Sequence, residues 1–150
     1  MTGSDGRAAL HRRVGLLLDA RGQRYTTGWR GLIEALAGLG LPVTIGELMA
    51  AAPGLAASTA YRNLTVLSEA GAVTRVNGGG EFGRFELSEE VSGQHHHHVV
   101  CAGCGLVLDA RAPDRLEALL DEVASSVAEV NNFAIVGHRL ELVGRCGDCR

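Results

Sequence analysis

Four consecutive histidines, His95 to His98, run through Val99 and Val100 into Cys101-Ala102-Gly103-Cys104. Imidazole and thiolate both ligate borderline divalent metals, so one short segment carries two kinds of ligand. The apolar run predicts a β-strand, on which successive side chains point to opposite faces. His95 and His97 then share one face, and His96 and His98 the other. Two imidazoles at i and i+2 can chelate a single ion. The stretch therefore forms the shared wall of two histidine sites, with a thiolate site at its end. A solvated polar turn or a cloning scar would leave the adjoining cysteine pair unexplained.

A second pair, Cys146 and Cys149, has the same Cys-x-x-Cys spacing. Four thiolates in two knuckles suit a closed tetrahedral Zn²⁺ site. Thiol-disulfide redox chemistry is the competitor, but two knuckles bracketing one module without a thioredoxin-like pattern favour zinc. The gap between the pairs is wider than in a zinc ribbon, so the ion would tie the module's start to its end. Structural zinc contributes about 10–16 kcal/mol in small domains, enough to decide whether one folds. For the histidine faces, Glu86, Asp109, Glu117 and His138 are the nearest further ligands.

With 46% hydrophobic residues and three prolines, the 150-residue chain can bury a core, and an aromatic share of 4% leaves that core to Leu, Val and Ala. The length fits one large domain or two small ones. No apolar run reaches membrane-spanning length, and Met1 to Arg13 lacks a signal peptide's apolar segment. The expected location is cytoplasmic, where cysteines serve as metal ligands rather than disulfides. The net charge of −3 hides an asymmetry. Up to Asn77 eight arginines outweigh five acids; from Gly78 on, six arginines face twelve. Opposite signs predict two modules, the first able to meet a polyanion.

Periodicity supplies the positioning elements. Leu10, Val14, Leu17 and Leu18 predict a helix over residues 8–20, with Arg12, Arg13, Arg21 and Arg24 on or after it. Thr27 is the expected cap of a second helix lined by Trp29, Leu32, Ile33, Leu36 and Leu39 and ended by Gly38 and Gly40. Thr44-Ile45-Gly46-Glu47 is a capping box opening a third, which Ala52-Pro53-Gly54 breaks. Ser58 or Thr59 is the expected cap of a fourth, with Ala60, Leu64 and Leu67 inward. This helix-turn-helix would present Ser58, Thr59, Tyr61, Arg62 and Asn63 to the major groove. Those residue types suit phosphates and base edges. Many helical hairpins bind no DNA, so the pattern alone leaves both readings open.

Residues 73–76 and 83–87 predict two strands joined through Asn77-Gly78-Gly79-Gly80, a hairpin that makes the unit winged. The glycines lack the Lys-Ser/Thr of a phosphate-binding loop. Polar residues 88–94 predict a hinge. Beyond it a strand is expected over 106–109. Pro113 opens a long helix with one buried stripe, Leu116, Leu119, Leu120, Val123, Val127 and Val130, and strands follow at 133–136 and 140–143. The expected fold is α+β: a winged helix-turn-helix over residues 1–88, a hinge over 89–94, and an α/β module over 95–150 too small to stand without a staple or partner.

Ser58 to Leu64, Glu69-Ala70-Gly71-Ala72-Val73, Phe85-Glu86-Leu87, His95 to Gly105, and Gly137-His138 leading to Cys146-x-x-Cys149 together resemble the ferric uptake regulator (Fur) superfamily of metal-responsive repressors. The likeness runs from about Arg24 to Cys149. It implies a winged helix that binds double-stranded DNA operators as a homodimer, an α/β dimerisation domain, and structural zinc on Cys101, Cys104, Cys146 and Cys149. It also implies a regulatory hinge site on Glu86, His96 and His98, to which peroxide-sensing members add a ligand at the position of Asp109. The second site falls on His95, His97, Glu117 and His138. Two departures stand out. Many members carry a sensor-site histidine where this chain has Pro42, and the family's arginine before the second helix appears as Trp29, with Arg30 following.

The expected function is a metal-dependent repressor controlling metal homeostasis. Imidazole and carboxylate suit Fe²⁺, Zn²⁺, Mn²⁺ or Ni²⁺. A hinge without cysteine leans toward iron, with zinc next and peroxide sensing a further alternative. No membrane and no small organic substrate is expected, and no enzymatic activity. A zinc hydrolase or deaminase would need an open zinc position that four cysteines deny, and the deaminase His-x-Glu signature is missing. A metal-storage or delivery protein has no use for a winged helix.

Overall fold

The computed structural model describes residues 4–77 and 83–150; the triple glycine expected as a wing tip lies outside them. Helices α1 (Ser4–Asp19), α2 (Thr27–Leu39), α3 (Ile45–Ala51) and α4 (Ala57–Glu69) precede the antiparallel pair β1 (Val73–Val76) and β2 (Arg84–Leu87). After a turn of helix, α5 (Glu89–Ser92), come β3 (His97–Cys101), β4 (Val107–Ala110), α6 (Asp114–Asn131) and β5 (Glu141–Gly144). The second sheet has the order β4-β3-β5, with β4 antiparallel and β5 parallel to β3. This is the α+β architecture expected, a winged helix-turn-helix followed by a small α/β module. No described helix is long and apolar enough to cross a membrane.

The first core gathers Val14 and Leu18 of α1, Leu32, Ile33 and Leu36 of α2, Leu48 of α3, Leu64 and Leu67 of α4, and Phe85 of β2. These are the periodic positions of each helix, so the apolar stripes account for the packing. Phe85 also exchanges backbone hydrogen bonds with Val43, at 2.9 and 2.7 Å, which ties β2 to the entry of α3. The capping box closes as the spacing requires. The Glu47 amide donates to Thr44 Oγ1 at 3.2 Å, and Glu47 Oε2 accepts from the Thr44 amide at 2.7 Å.

Several boundaries differ from expectation. α1 begins four residues early. The cap of α2 is Thr26, whose Oγ1 accepts from the Trp29 amide, and not Thr27. α4 is entered from Ala56 without a side-chain cap, so Ser58 and Thr59 lie inside its first turn. The acidic segment 88–94 holds α5, capped by Ser88 and anchored by Val91, which is buried in the first core. Arg13 Nη1 on α1 donates to the Val91 carbonyl at 2.9 Å. Gly93, at φ 70°, ends the turn where an added Cβ would stand 3.1 Å from Arg13 Nη1. Only a few residues separate Gly93 from β3.

Two expectations for the second module fail. The stripe of α6 is not buried: Leu119, Val123, Val127 and Val130 are 53, 50, 44 and 83% exposed. Its 18 residues span about 27 Å, and strands of four or five residues, about 13–17 Å long, cannot cover it. Among the described residues, 133–136 form no strand, although the outer edges of β4 and β5 are unpaired. Phe133 and Val136 stand at 68 and 101% exposure.

Glu47 carries a pH-dependent part of this fold. The Thr44 amide holds its carboxyl below the ordinary carboxylate range, against an upward push from partial burial, and Arg84 adds to the lowering. A depressed folded value contributes stability above the unfolded pKa that is lost as pH falls through the folded one. Glu47→Gln should therefore flatten the acid limb of the stability profile below the ordinary carboxylate range, read by thermal melting at stepped pH.

Candidate metal centres and recognition helix

The pleat of β3 and the residues leading into it sorts the four imidazoles onto two sides. On one side His96 Nε2 lies 3.0 Å from Glu86 Oε2, and His98 Nε2 3.3 Å from the same oxygen. Glu86 reaches them from β2, with its side chain 11% exposed. Asp109, opposite His98 on β4, brings Oδ1 to 3.9 Å from His96 Nε2. On the other side three Nε2 atoms converge on one carboxylate. Glu117 Oε1 is 2.8 Å from His97, and Oε2 is 3.1 Å from His138 and 3.3 Å from His95. In each set the ligand-type atoms lie within 4.8 Å of one another.

The electrostatics reflect this crowding. Burial pushes the Glu86 carboxyl up, but hydrogen bonds from His98 and His96 outweigh it and hold it below the usual range. Burial pulls His96 down, and Glu86 overrides it to raise the imidazole. His95 is raised first by a hydrogen bond to Glu89, whose Oε1 lies 2.8 Å from its Nδ1. His97 is 3% exposed, with Nε2 on Glu117 and Nδ1 buried without a partner. Such an orphan costs about 1–3 kcal/mol.

The four cysteines form the third set, again within 4.8 Å. Cys104 and Cys146 Sγ are 3.7 Å apart. Tetrahedral zinc with Zn–S bonds of about 2.3 Å puts sulfurs about 3.8 Å apart, so the spacing fits that ion. Backbone amides of Cys146 and Cys104 aim at Cys101 and pull its thiol down to about 6, against some desolvation. Neighbouring thiols, Cys146 first, push Cys149 up to about 12. The Cys146 amide donates to Cys101 Sγ at 3.3 Å, a contact that favours the thiolate form, and the crowding of the four sulfurs is what a cation would relieve.

The helix-turn-helix face is equally plain. Ala60, Leu64 and Leu67 of α4 are buried, while Ser58, Arg62 and Tyr61 (52% exposed) face outward and Thr59 and Asn63 flank them half-buried. Arg24 is exposed in the α1–α2 turn. Arg30 lies 4.4 Å over the Tyr25 ring, and Trp29 packs partly buried against the core. Pro42 is buried, and its carbonyl accepts from Arg84 Nη1 at 3.2 Å. It offers the Glu86 set no ligand.

Every metal-ligand candidate taken from the sequence falls in one of these sets. Sequence reasoning missed Glu89, which stands behind His95, and Arg84, which joins the two modules. The alternation of β2 was the available signal for Arg84, since it places that residue on the face of Glu86.

Fold and sites define the class: a winged helix joined to an α/β module rich in metal ligands. A sequence model of the ferric uptake regulator family matches residues 44–143, and the chain belongs to that family. It is 34% identical to the peroxide-responsive repressor PerR of Staphylococcus saprophyticus over 98 residues, 65% of this chain and 60% of that protein. It is 32% identical to the ferric uptake regulation protein of Campylobacter jejuni over 92 residues, 61 and 54% of the two chains. The chain thus spans about three fifths of the length of the curated relatives it matches. Among solved structures, the Vibrio cholerae ferric uptake regulator superposes with a TM-score of 0.66 at 28% identity, covering 88% of this chain and 98% of that one. A zinc-bound manganese uptake regulator gives 0.60 at 28%, covering 89 and 98%.

The thiol set makes a direct prediction. Co²⁺ added to the metal-free protein should produce thiolate-to-metal charge-transfer absorption. Cys104→Ser should weaken that band and lower the melting temperature of the metal-loaded protein, followed by circular dichroism.

Proposed function

We propose that the chain is a metal-dependent, DNA-binding transcriptional repressor of metal homeostasis, acting in the cytoplasm as a homodimer, with Fe²⁺ as the regulatory ion. One observation carries the reading: Glu86, on the wing, meets His96 and His98, on the second module. Glu86, His96, His98 and Asp109 would hold the ion, and its positive charge would draw the residues on the two sides of the hinge together. The residues on either side then keep one angle between recognition helix and second module. A dimer engages two half-sites only when its recognition helices have the matching separation. The gain in DNA affinity is limited to the difference in ion affinity between hinge geometries.

Zn²⁺ on Cys101, Cys104, Cys146 and Cys149 is the structural ion in this reading. His95, His97, Glu117 and His138 form a second site. Ser58, Thr59, Tyr61, Arg62 and Asn63 contact the operator, and Arg24 contacts a phosphate. The domain division is residues 1–88 for DNA and 95–150 for dimerisation, with 89–94 between. Support for the partner copy comes from the uncovered apolar face of α6 with Phe133, Val136, Leu142 and Val143, each of these last four more than half exposed. An apolar surface of that extent marks an interface.

Nitrogen and carboxylate ligands admit Zn²⁺, Mn²⁺ and Ni²⁺ as well as Fe²⁺. The absence of cysteine from the Glu86 set favours iron over a zinc-responsive role. Peroxide sensing is a second reading, favoured by Asp109 standing in the Glu86 set and by the likeness to a peroxide-responsive repressor. The ferric uptake relative supports the first reading.

His96→Ala should abolish metal-stimulated DNA binding in fluorescence anisotropy while zinc content and melting stay unchanged; retained stimulation rejects the reading. Val127→Asp should convert the dimer to monomer in sedimentation equilibrium, because a charge would be desolvated in the apolar contact. An unchanged mass removes α6 from the interface.

A further inference from the structure

The ties between the two modules leave one side chain unexplained. Arg84 begins β2, and its guanidinium joins three separate parts of the chain. Nε donates to the Gly105 carbonyl at 2.9 Å, next to Cys104 in the thiol knuckle. Nη1 donates to the Pro42 carbonyl at 3.2 Å and to Glu47 Oε2 at 3.0 Å, at the N-terminus of α3. The side chain is only 13% exposed. Gly105 is buried, with a φ of 72°, and its amide bonds the Cys101 carbonyl at 2.9 Å. The knuckle therefore holds the acceptor that Arg84 grasps.

Glu86 lies two residues further along β2, on the same face and about 7 Å away. One strand face thus carries two ties to the second module. The first, through Arg84, consists of protein hydrogen bonds and stands without a regulatory ion. The second, through Glu86, is made of residues assigned above to the regulatory site. Val76 of β1 adds an apolar floor by packing with Val100 and Val107. A body held at one fixed point and drawn in at another can only turn about the fixed one.

We propose that Arg84 is a positioning residue, the pivot about which loading of the Glu86 cluster turns the helix-turn-helix relative to the second module; this rests on the repressor reading above. The planar fork suits the task. It holds a carbonyl in each module at once and takes its orientation from the Glu47 carboxylate, whereas lysine presents a point charge. Without the fork, closing the Glu86 cluster still binds the ion but no longer dictates the direction in which α3 and α4 move. Affinity for the ion and control of DNA binding then part company.

The test uses the full chain with zinc retained, Co²⁺ as the regulatory probe, and a duplex selected from a random-sequence pool by the Co²⁺-loaded wild type. Arg84→Gln should bind Co²⁺ with unchanged stoichiometry and an affinity within about threefold, by visible absorption. The ratio of duplex affinity with and without Co²⁺ should fall from about 5–150 to near one. Arg84→Lys should give an intermediate ratio. Thr44→Ala, which weakens the α3 cap by about 1 kcal/mol and leaves the three Arg84 contacts, should keep the wild-type ratio. A wild-type ratio in Arg84→Gln overturns the proposal, as does an equal loss in Thr44→Ala. Should Arg84→Gln fail to fold by circular dichroism, Arg84→Lys decides on the same ratio. Should the wild type select no duplex, the repressor reading fails and hydrogen exchange still reads the pivot. Co²⁺-induced protection at the start of α3 in the wild type and its loss in Arg84→Gln support the pivot; protection in both, or in neither, overturns it.

Discussion

The pleat of β3 is the constraint on which the second module depends. β3 carries His97 and His98 on opposite faces, and His95 and His96, just ahead of the strand, fall into the same two-and-two division. The division is completed from opposite sides by two carboxylates on different elements, Glu86 from β2 and Glu117 from α6. Because β2 belongs to the winged helix and α6 to the α/β module, the same alternation makes one cluster a link between modules. The other is contributed wholly by the second module's residues.

β2 is the counterpart of that strand in the first module. Its inward residue, Phe85, fills the core and pairs with Val43, while its outward residues, Arg84 and Glu86, reach the second module. Four residues thus hold the helix-turn-helix, the thiol knuckle and the histidine cluster in one frame. The helical turn α5 matters for the same reason. With Val91 in the core and Arg13 on its carbonyl, the residues after β2 cannot swing freely. The short stretch between Gly93 and β3 follows directly, next to the imidazoles themselves.

Stability is shared unevenly between the modules. Among the described residues the first has a core of fourteen buried residues, whereas the separate cluster at the second sheet has three, one of them borrowed from β1. An α/β unit with so little apolar burial needs other restraints. The cysteine set, which ties β3 to the end of the chain, is one. The face of α6, left uncovered among the described residues, is the place for another.

Local rules written into the sequence determined a good deal by themselves. Helix periodicity located the four N-terminal helices and their buried faces, Thr44 and Glu47 announced the capping box, and period-two alternation divided the histidines. The Cys-x-x-Cys spacing named the thiol set. Each depends on residues close together in the chain, where geometry repeats. Only the tertiary structure decided what depends on distant segments meeting. It brought Glu86 and Asp109 to one imidazole pair and Glu117 and His138 to the other, and it placed Glu89 behind His95. It left 133–136 outside the sheet and the stripe of α6 uncovered. It also set Arg84 between Pro42, Glu47 and Gly105, contacts spanning 21 to 42 residues that no local pattern encodes. Periodicity reports which side of an element is apolar or ligand-bearing; what lies opposite that side is settled only when the chain packs.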